Sequence, residues 1–154
     1  MHITSEERKS RPLPTHAGAT VWHQPSDKEL QAKPLTVLII DDDPVVAETF
    51  ARMLVLEGYT VLAVVSAEAG LREAELQHVD AILLDLRMPI VNGLDFLRRL
   101  RAREQQNKTP VAIVTGDYFL DDSMSNELQG LGAEVFFKPL WIEDLVRITQ
   151  ALIK

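Results

Sequence analysis

The sequence contains no cysteine, which excludes disulfide staples and thiolate metal centres together. It has no apolar run approaching the ~20 residues that cross a bilayer. Its first residues, Met1–Lys9, are polar where a secretory signal needs an apolar stretch. A cytoplasmic protein with no membrane partner is the simplest reading. Positive charge is in short supply. The net charge is −7, and residues 35–154 carry eleven Lys and Arg against nineteen Asp and Glu. Phosphate repulsion by so acidic a segment argues against nucleic acid as its direct partner. Internal repeats are absent as well. What remains is a chain of 154 residues, 46% hydrophobic and 25% charged, the ordinary composition of one globular domain.

Residues 1–34 differ from the rest. Up to about residue 25 they are rich in polar residues, proline and histidine without helical or strand periodicity, and read as a flexible N-terminal extension. Ser26-Asp27-Lys28-Glu29 has the spacing of a capping box, so a short helix near 27–33 is expected, ended by Pro34. Trp22 is the one residue of this segment with a large apolar surface.

From Leu35 onward, short apolar runs alternate with amphipathic stretches. Strands are expected over Leu35–Ile40, Thr60–Val65, Ala81–Leu84, Val111–Val114 and Val135–Phe137. Helices are expected over Pro44–Glu57, Ser66–Gln77, Gly93–Glu104, Asp121–Leu131 and Trp141–Ile153. Five strands alternating with five helices give an α/β fold with a parallel sheet covered on both faces. Arg98, Arg99, Arg101 and Arg103 lie on the third helix and its end, and read as a solvated face with ion pairs.

The polar residues carry the functional argument by their positions. Asp41, Asp42 and Asp43 follow the first strand, Asp85 ends the third, Thr115 ends the fourth and Lys138 ends the fifth. In an open parallel sheet, the residues just past the carboxyl ends of the strands meet at one edge. Each of these residues alone has a bland reading as turn chemistry. Together they place acids, a hydroxyl and an ammonium group at one site. Crowded carboxylates are unfavourable unless a cation or protons intervene. With no His or Cys nearby the donors are all oxygen, which suits Mg²⁺ or Mn²⁺. A carboxylate beside such a cation can attack phosphorus and form an acyl phosphate. Lys138 can then neutralise one phosphoryl oxygen and Thr115 donate to another.

The residues Val37-Leu38-Ile39-Ile40-Asp41-Asp42-Asp43-Pro44, Leu84-Asp85-Leu86-Arg87-Met88-Pro89-Ile90-Val91-Asn92-Gly93, Val114-Thr115-Gly116 and Phe137-Lys138-Pro139 resemble, in that order and spacing, the response-regulator receiver domains of two-component signalling. The resemblance covers residues 35–154. It implies a flavodoxin-like sheet of order 2-1-3-4-5 and a phosphorylation-dependent switch. Asp85 would be the phosphoacceptor, with Thr115 and Lys138 binding the phosphoryl group. Mg²⁺ would be held by Asp42, Asp85 and the backbone carbonyl of Arg87, and by Asp41 through water. Such a domain promotes only its own phosphorylation and dephosphorylation. A sensor histidine kinase or histidine phosphotransfer protein would supply the phosphoryl group. A downstream protein, or a second copy of the chain, would read the face of helix 4, strand 5 and helix 5. Many receivers carry Tyr or Phe three residues before the lysine; here that residue is Val135, which has no ring to swing, and Phe136 and Phe137 beside it are expected in the core.

Two other readings compete. Asp41-Asp42-Asp43-Pro44-Val45 also resembles the Asp-x-Asp-x-Val loop of haloacid-dehalogenase-type phosphatases, with Asp41 as nucleophile and Asp43 as acid/base. That reading needs a further acidic motif well past the lysine and leaves Asp85 and Met88-Pro89 unexplained. The other is a receiver fold used only for docking, against which the full set Asp41, Asp42, Asp85, Thr115 and Lys138 speaks.

Overall fold

The central strands of the parallel sheet are almost wholly apolar because both of their faces are covered. The structure, a computed structural model, describes residues 13–14, 19–22 and 33–154. Its strands are β1 (Leu13–Pro14), β2 (Thr20–Trp22), β3 (Thr36–Ile40), β4 (Thr60–Val64), β5 (Ala81–Leu84), β6 (Val111–Thr115) and β7 (Ala133–Phe137). The helices are α1 (Pro44–Leu56), α2 (Ala67–Leu76), α3 (Gly93–Arg101), α4 (Asp122–Gly130) and α5 (Ile142–Leu152), with a 3₁₀ turn at Glu104–Gln106. The strands run β1-β2-β4-β3-β5-β6-β7 across the sheet. Its parallel part, β4-β3-β5-β6-β7, is the expected order 2-1-3-4-5.

Alternate residues of each strand feed two cores. Leu38, Ile40, Leu62, Ile82, Leu84 and Ile113 face the side that includes Leu71 and Leu97. Val37, Ile39, Val61, Leu83 and Val114 face Phe50, Leu54, Leu145 and Ile148. Helix boundaries follow local chemistry. Asp43 caps α1, its carboxylate accepting from Val45 N at 2.9 Å, and Pro44 occupies the first helical position. Gly58 leaves that helix at φ 97.

Two expectations change. Residues 1–25 read as a flexible extension, yet Leu13–Pro14 and Thr20–Trp22 are strands. β2 pairs antiparallel with β4, through Thr20 to Ala63 and Trp22 to Val61. The physical reason is the open edge of β4, whose backbone donors and acceptors β2 satisfies. Trp22 is buried in the α1 side of the core, with the Arg52 guanidinium 5.5 Å from its ring centroid. The helix expected near 27–33 lies, apart from the non-helical Lys33, outside the described residues.

The arginine run is also not a uniform solvated face. Arg98 pairs with Asp95 and Glu127, joining α3 to α4. Arg101 instead turns inward and donates to the carbonyls of Leu131 (2.7 Å), Gln106 (3.0 Å) and Thr109 (2.7 Å). Arg103 donates to Leu71 O at 2.9 Å. These side chains tie the end of α3 and the turn after it to neighbouring loops and to the α2 backbone.

Candidate functional site

The parallel strands end together, and their last residues turn polar at that line. β3 delivers Asp41 and Asp42, β5 delivers Asp85, β6 ends on Thr115, and Lys138 follows β7. Carboxylate oxygens of Asp41, Asp42 and Asp85 lie within 4.8 Å of one another. Asp41 and Asp85 are buried, while Asp42 is exposed. The Lys138 ammonium reaches between the two buried acids, donating to Asp41 Oδ2 at 2.6 Å and lying 3.7 Å from Asp85 Oδ1. Sequence reasoning grouped the three consecutive aspartates. The structure separates Asp43, whose carboxylate is taken up by capping α1. The Asp43-Pro44 pair carried that signal, since Asp before Pro at a helix start marks a cap.

Backbone hydrogen bonds fix the end of β5. Asp85 N donates to Ile40 O at 2.8 Å, and Gly93 N donates to Leu86 O at 2.9 Å. A Cβ on Gly93 would fall 2.5 Å from the Asp85 carbonyl oxygen. Only glycine lets the start of α3 lie this close to Asp85. Asn92 caps that helix, accepting from Asp95 N at 2.9 Å. Arg87, two residues past Asp85, sends its side chain to Asp117, with Nε 2.6 Å from Oδ2.

Electrostatics make the site a poor place for an uncompensated carboxylate. Burial and the Asp41 carboxylate push the Asp85 carboxyl up to about 6; Lys138 opposes them and Asp42 adds to them. One ammonium faces three acids, so the cluster retains an excess of negative charge. This excess, in an all-oxygen donor set, fits a hard divalent cation. Thr115 is fully buried, and its Oγ1 accepts from Asp117 N at 3.1 Å. Its own hydroxyl proton is left to donate.

Sequence reasoning missed the residues around the mouth. Phe137, expected in the core, is exposed and stacks on Tyr118. Val135 is half-buried and packs against the core. Ile90, 95% exposed, holds a left-handed φ of 69 in the loop after β5, a conformation costly for a β-branched residue. Val45, Phe119 and Trp141 are exposed as well. Ile90, Phe119 and Trp141 lie in loops, where no periodicity marks them.

Comparisons with known proteins identify the family and the fold. The family description "Response regulator receiver domain" matches residues 37–150. The transcriptional regulatory protein PrrA of Mycobacterium tuberculosis is 32% identical over 118 residues, covering 77% of this chain and 49% of its own length. The cell cycle response regulator CtrA of Brucella ovis is 31% identical over 121 residues, covering 78% and 50%. The chain thus spans about half the length of these curated relatives. Among solved structures, the chemotaxis protein CheY4 of Vibrio cholerae superposes with a TM-score of 0.71 at 25% identity, covering 77% of this chain and 98% of that one. A response regulator receiver protein from Pseudomonas putida gives 0.71 at 27%, covering 78% and 98%.

Proposed function

The chain belongs to the response regulator receiver domain family and has its phosphoacceptor signalling role; on that premise, we propose that Asp85 is the residue that takes up the phosphoryl group. The observation that carries the reading is the position of Asp85. It is a buried carboxylate at a strand end, with an ammonium 3.7 Å away and two further acids beside it. Its ionised oxygen attacks the donor phosphorus as the bond from phosphorus to the donor's leaving group breaks. The product is an acyl phosphate on Asp85. The Lys138 ammonium exchanges part of its hold on Asp41 for a phosphoryl oxygen, and the Thr115 hydroxyl donates to another. Asp42, Asp85 and the Arg87 carbonyl would hold Mg²⁺ (or Mn²⁺), with Asp41 acting through water. Bound there, the cation would neutralise the acids and the charge that builds on the phosphoryl group. The domain then promotes its own phosphorylation and dephosphorylation and no other turnover.

The donor is a sensor histidine kinase or a histidine phosphotransfer protein. Apolar residues that follow the site residues by three to five positions support a protein donor: Val45, Ile90, Phe119 and Trp141 are 69%, 95%, 91% and 72% exposed. Output passes through the face of α4, β7 and α5 to a downstream protein or a second copy. The acidic balance of residues 35–154 leaves nucleic acid outside the direct partners of this domain. No described helix is long and apolar enough to cross a membrane. The deciding experiment is labelling from acetyl phosphate with and without Mg²⁺. Asp85→Asn is expected to abolish it and Asp41→Asn to weaken it. Labelling that survives in Asp85→Asn and disappears in Asp41→Asn would refute the assignment.

A further inference from the structure

Lys138 is the first residue beyond the β7 ladder. A lysine ammonium sits at the end of four rotatable bonds, so its reach depends on how firmly its backbone is held. Two hydrogen bonds hold it here, and both come from the segment that ends β6. Lys138 N donates to Thr115 O at 2.8 Å. Its carbonyl oxygen accepts from the Tyr118 hydroxyl. The Tyr118 ring also stacks on Phe137, the preceding residue, with centroids 5.3 Å apart and planes inclined by 21°. Pro139 follows and offers no backbone N–H to add a further tie. The remainder of the Tyr118 segment is fixed to the same site. Asp117 N donates to Thr115 Oγ1 at 3.1 Å, and the Asp117 carboxylate accepts from Arg87 at 2.6 Å. Residues 115–118 therefore touch the acceptor loop, the hydroxyl and the lysine in turn.

We propose that Tyr118 is a positioning residue for Lys138, anchoring its carbonyl and the adjacent Phe137 ring so that the ammonium is aimed at the phosphoryl group on Asp85. The inference rests on the assignment of Asp85 and Lys138 given above. It concerns phosphoryl binding and not metal binding, because Lys138 is a cation and holds no metal. Tyr118→Phe keeps the stacked ring and removes the hydrogen bond; Tyr118→Ala removes both.

The test measures two affinities of the full chain by calorimetry: Mg²⁺ alone, then the phosphoryl mimic beryllofluoride at saturating Mg²⁺. Both variants are expected to bind Mg²⁺ like the wild type. Beryllofluoride affinity is expected to fall about three- to tenfold in Tyr118→Phe, the size of one net hydrogen bond, and further in Tyr118→Ala. The initial rate of labelling from acetyl phosphate should fall in the same order. Wild-type beryllofluoride affinity in Tyr118→Phe would overturn the inference, and so would a parallel loss of Mg²⁺ affinity, which marks general damage. Tyr118→Phe alone decides the matter if Tyr118→Ala melts below the measuring temperature. A wild-type chain that binds no beryllofluoride would instead sink the acceptor assignment, and this inference with it.

Discussion

The middles of the parallel strands and their carboxyl ends obey opposite rules. In the middle, Leu38, Ile39 and Ile82 are buried to 1% or less among other apolar side chains, and each contributes to stability by leaving water. Two or three residues further on, the same strands place Asp41 and Asp85 side by side with Asp42, and nothing apolar is gained. The middles are built for stability. The ends store unfavourable electrostatics that a cation can relieve.

Substitution in a strand middle should show the largest loss of stability. Leu38→Ala empties a fully buried site and is expected to cost about 2–5 kcal/mol, read as a lower urea midpoint, while the remaining folded fraction still labels. A cost below 1 kcal/mol would mean that the two cores are less tightly packed than the burial shows.

At the strand ends, pH should expose the stored repulsion. The folded Asp85 carboxyl titrates at about 6 against an ordinary 3.8. Its contribution to stability is therefore complete below 3.8 and is lost as pH rises through 6. The metal-free chain is expected to lose on the order of 3 kcal/mol from this group between pH 4 and 7, a slope missing from Asp85→Asn. Urea titrations in EDTA at several pH values check this, and parallel curves for the two proteins would contradict it. Saturating Mg²⁺ should flatten the wild-type slope, since the cation favours the ionised form.

The metal response should be smaller and should separate the acids. Mg²⁺ at about 100 times its dissociation constant would add about 2.7 kcal/mol and raise the melting temperature. Asp42→Ala is expected to lose most of that shift while leaving the metal-free protein as stable as the wild type, or more so. An unchanged Mg²⁺ shift would remove Asp42 from the ligands.

The smallest effect is expected at the rim, where Arg87 and Asp117 pair across the mouth at 2.5 Å. The pair should not alter folding. Arg87→Ala and Asp117→Ala should each speed loss of label from the phosphorylated protein severalfold, with the double variant less than additive. Equal decay in all four proteins would leave Arg87 and Asp117 as surface charges.

Most of the fold was legible because strand and helix periods are local properties of a sequence. Pro44 to Gly58 announces a helix with its cap and its stop, and the run Ala81–Leu84 announces a strand buried on both faces. The strands β1 and β2 were not legible. They are short, and Thr20–Trp22 becomes a strand only because β4 presents an open edge. The tie between Tyr118 and Lys138 was equally hidden, since nothing periodic marks a loop residue that meets a strand end.

The sequence by itself determined which residues stand at the strand ends, because the order of elements and the parallel topology send them to one edge. Only the tertiary structure decided how they divide the work there. Asp43 turns away to cap α1, Lys138 lies closer to Asp41 than to Asp85, and burial raises the Asp85 carboxyl. These outcomes depend on burial and on distances between groups as many as 97 residues apart in the chain. Periodicity carries no information over that separation; packing of the assembled sheet sets it.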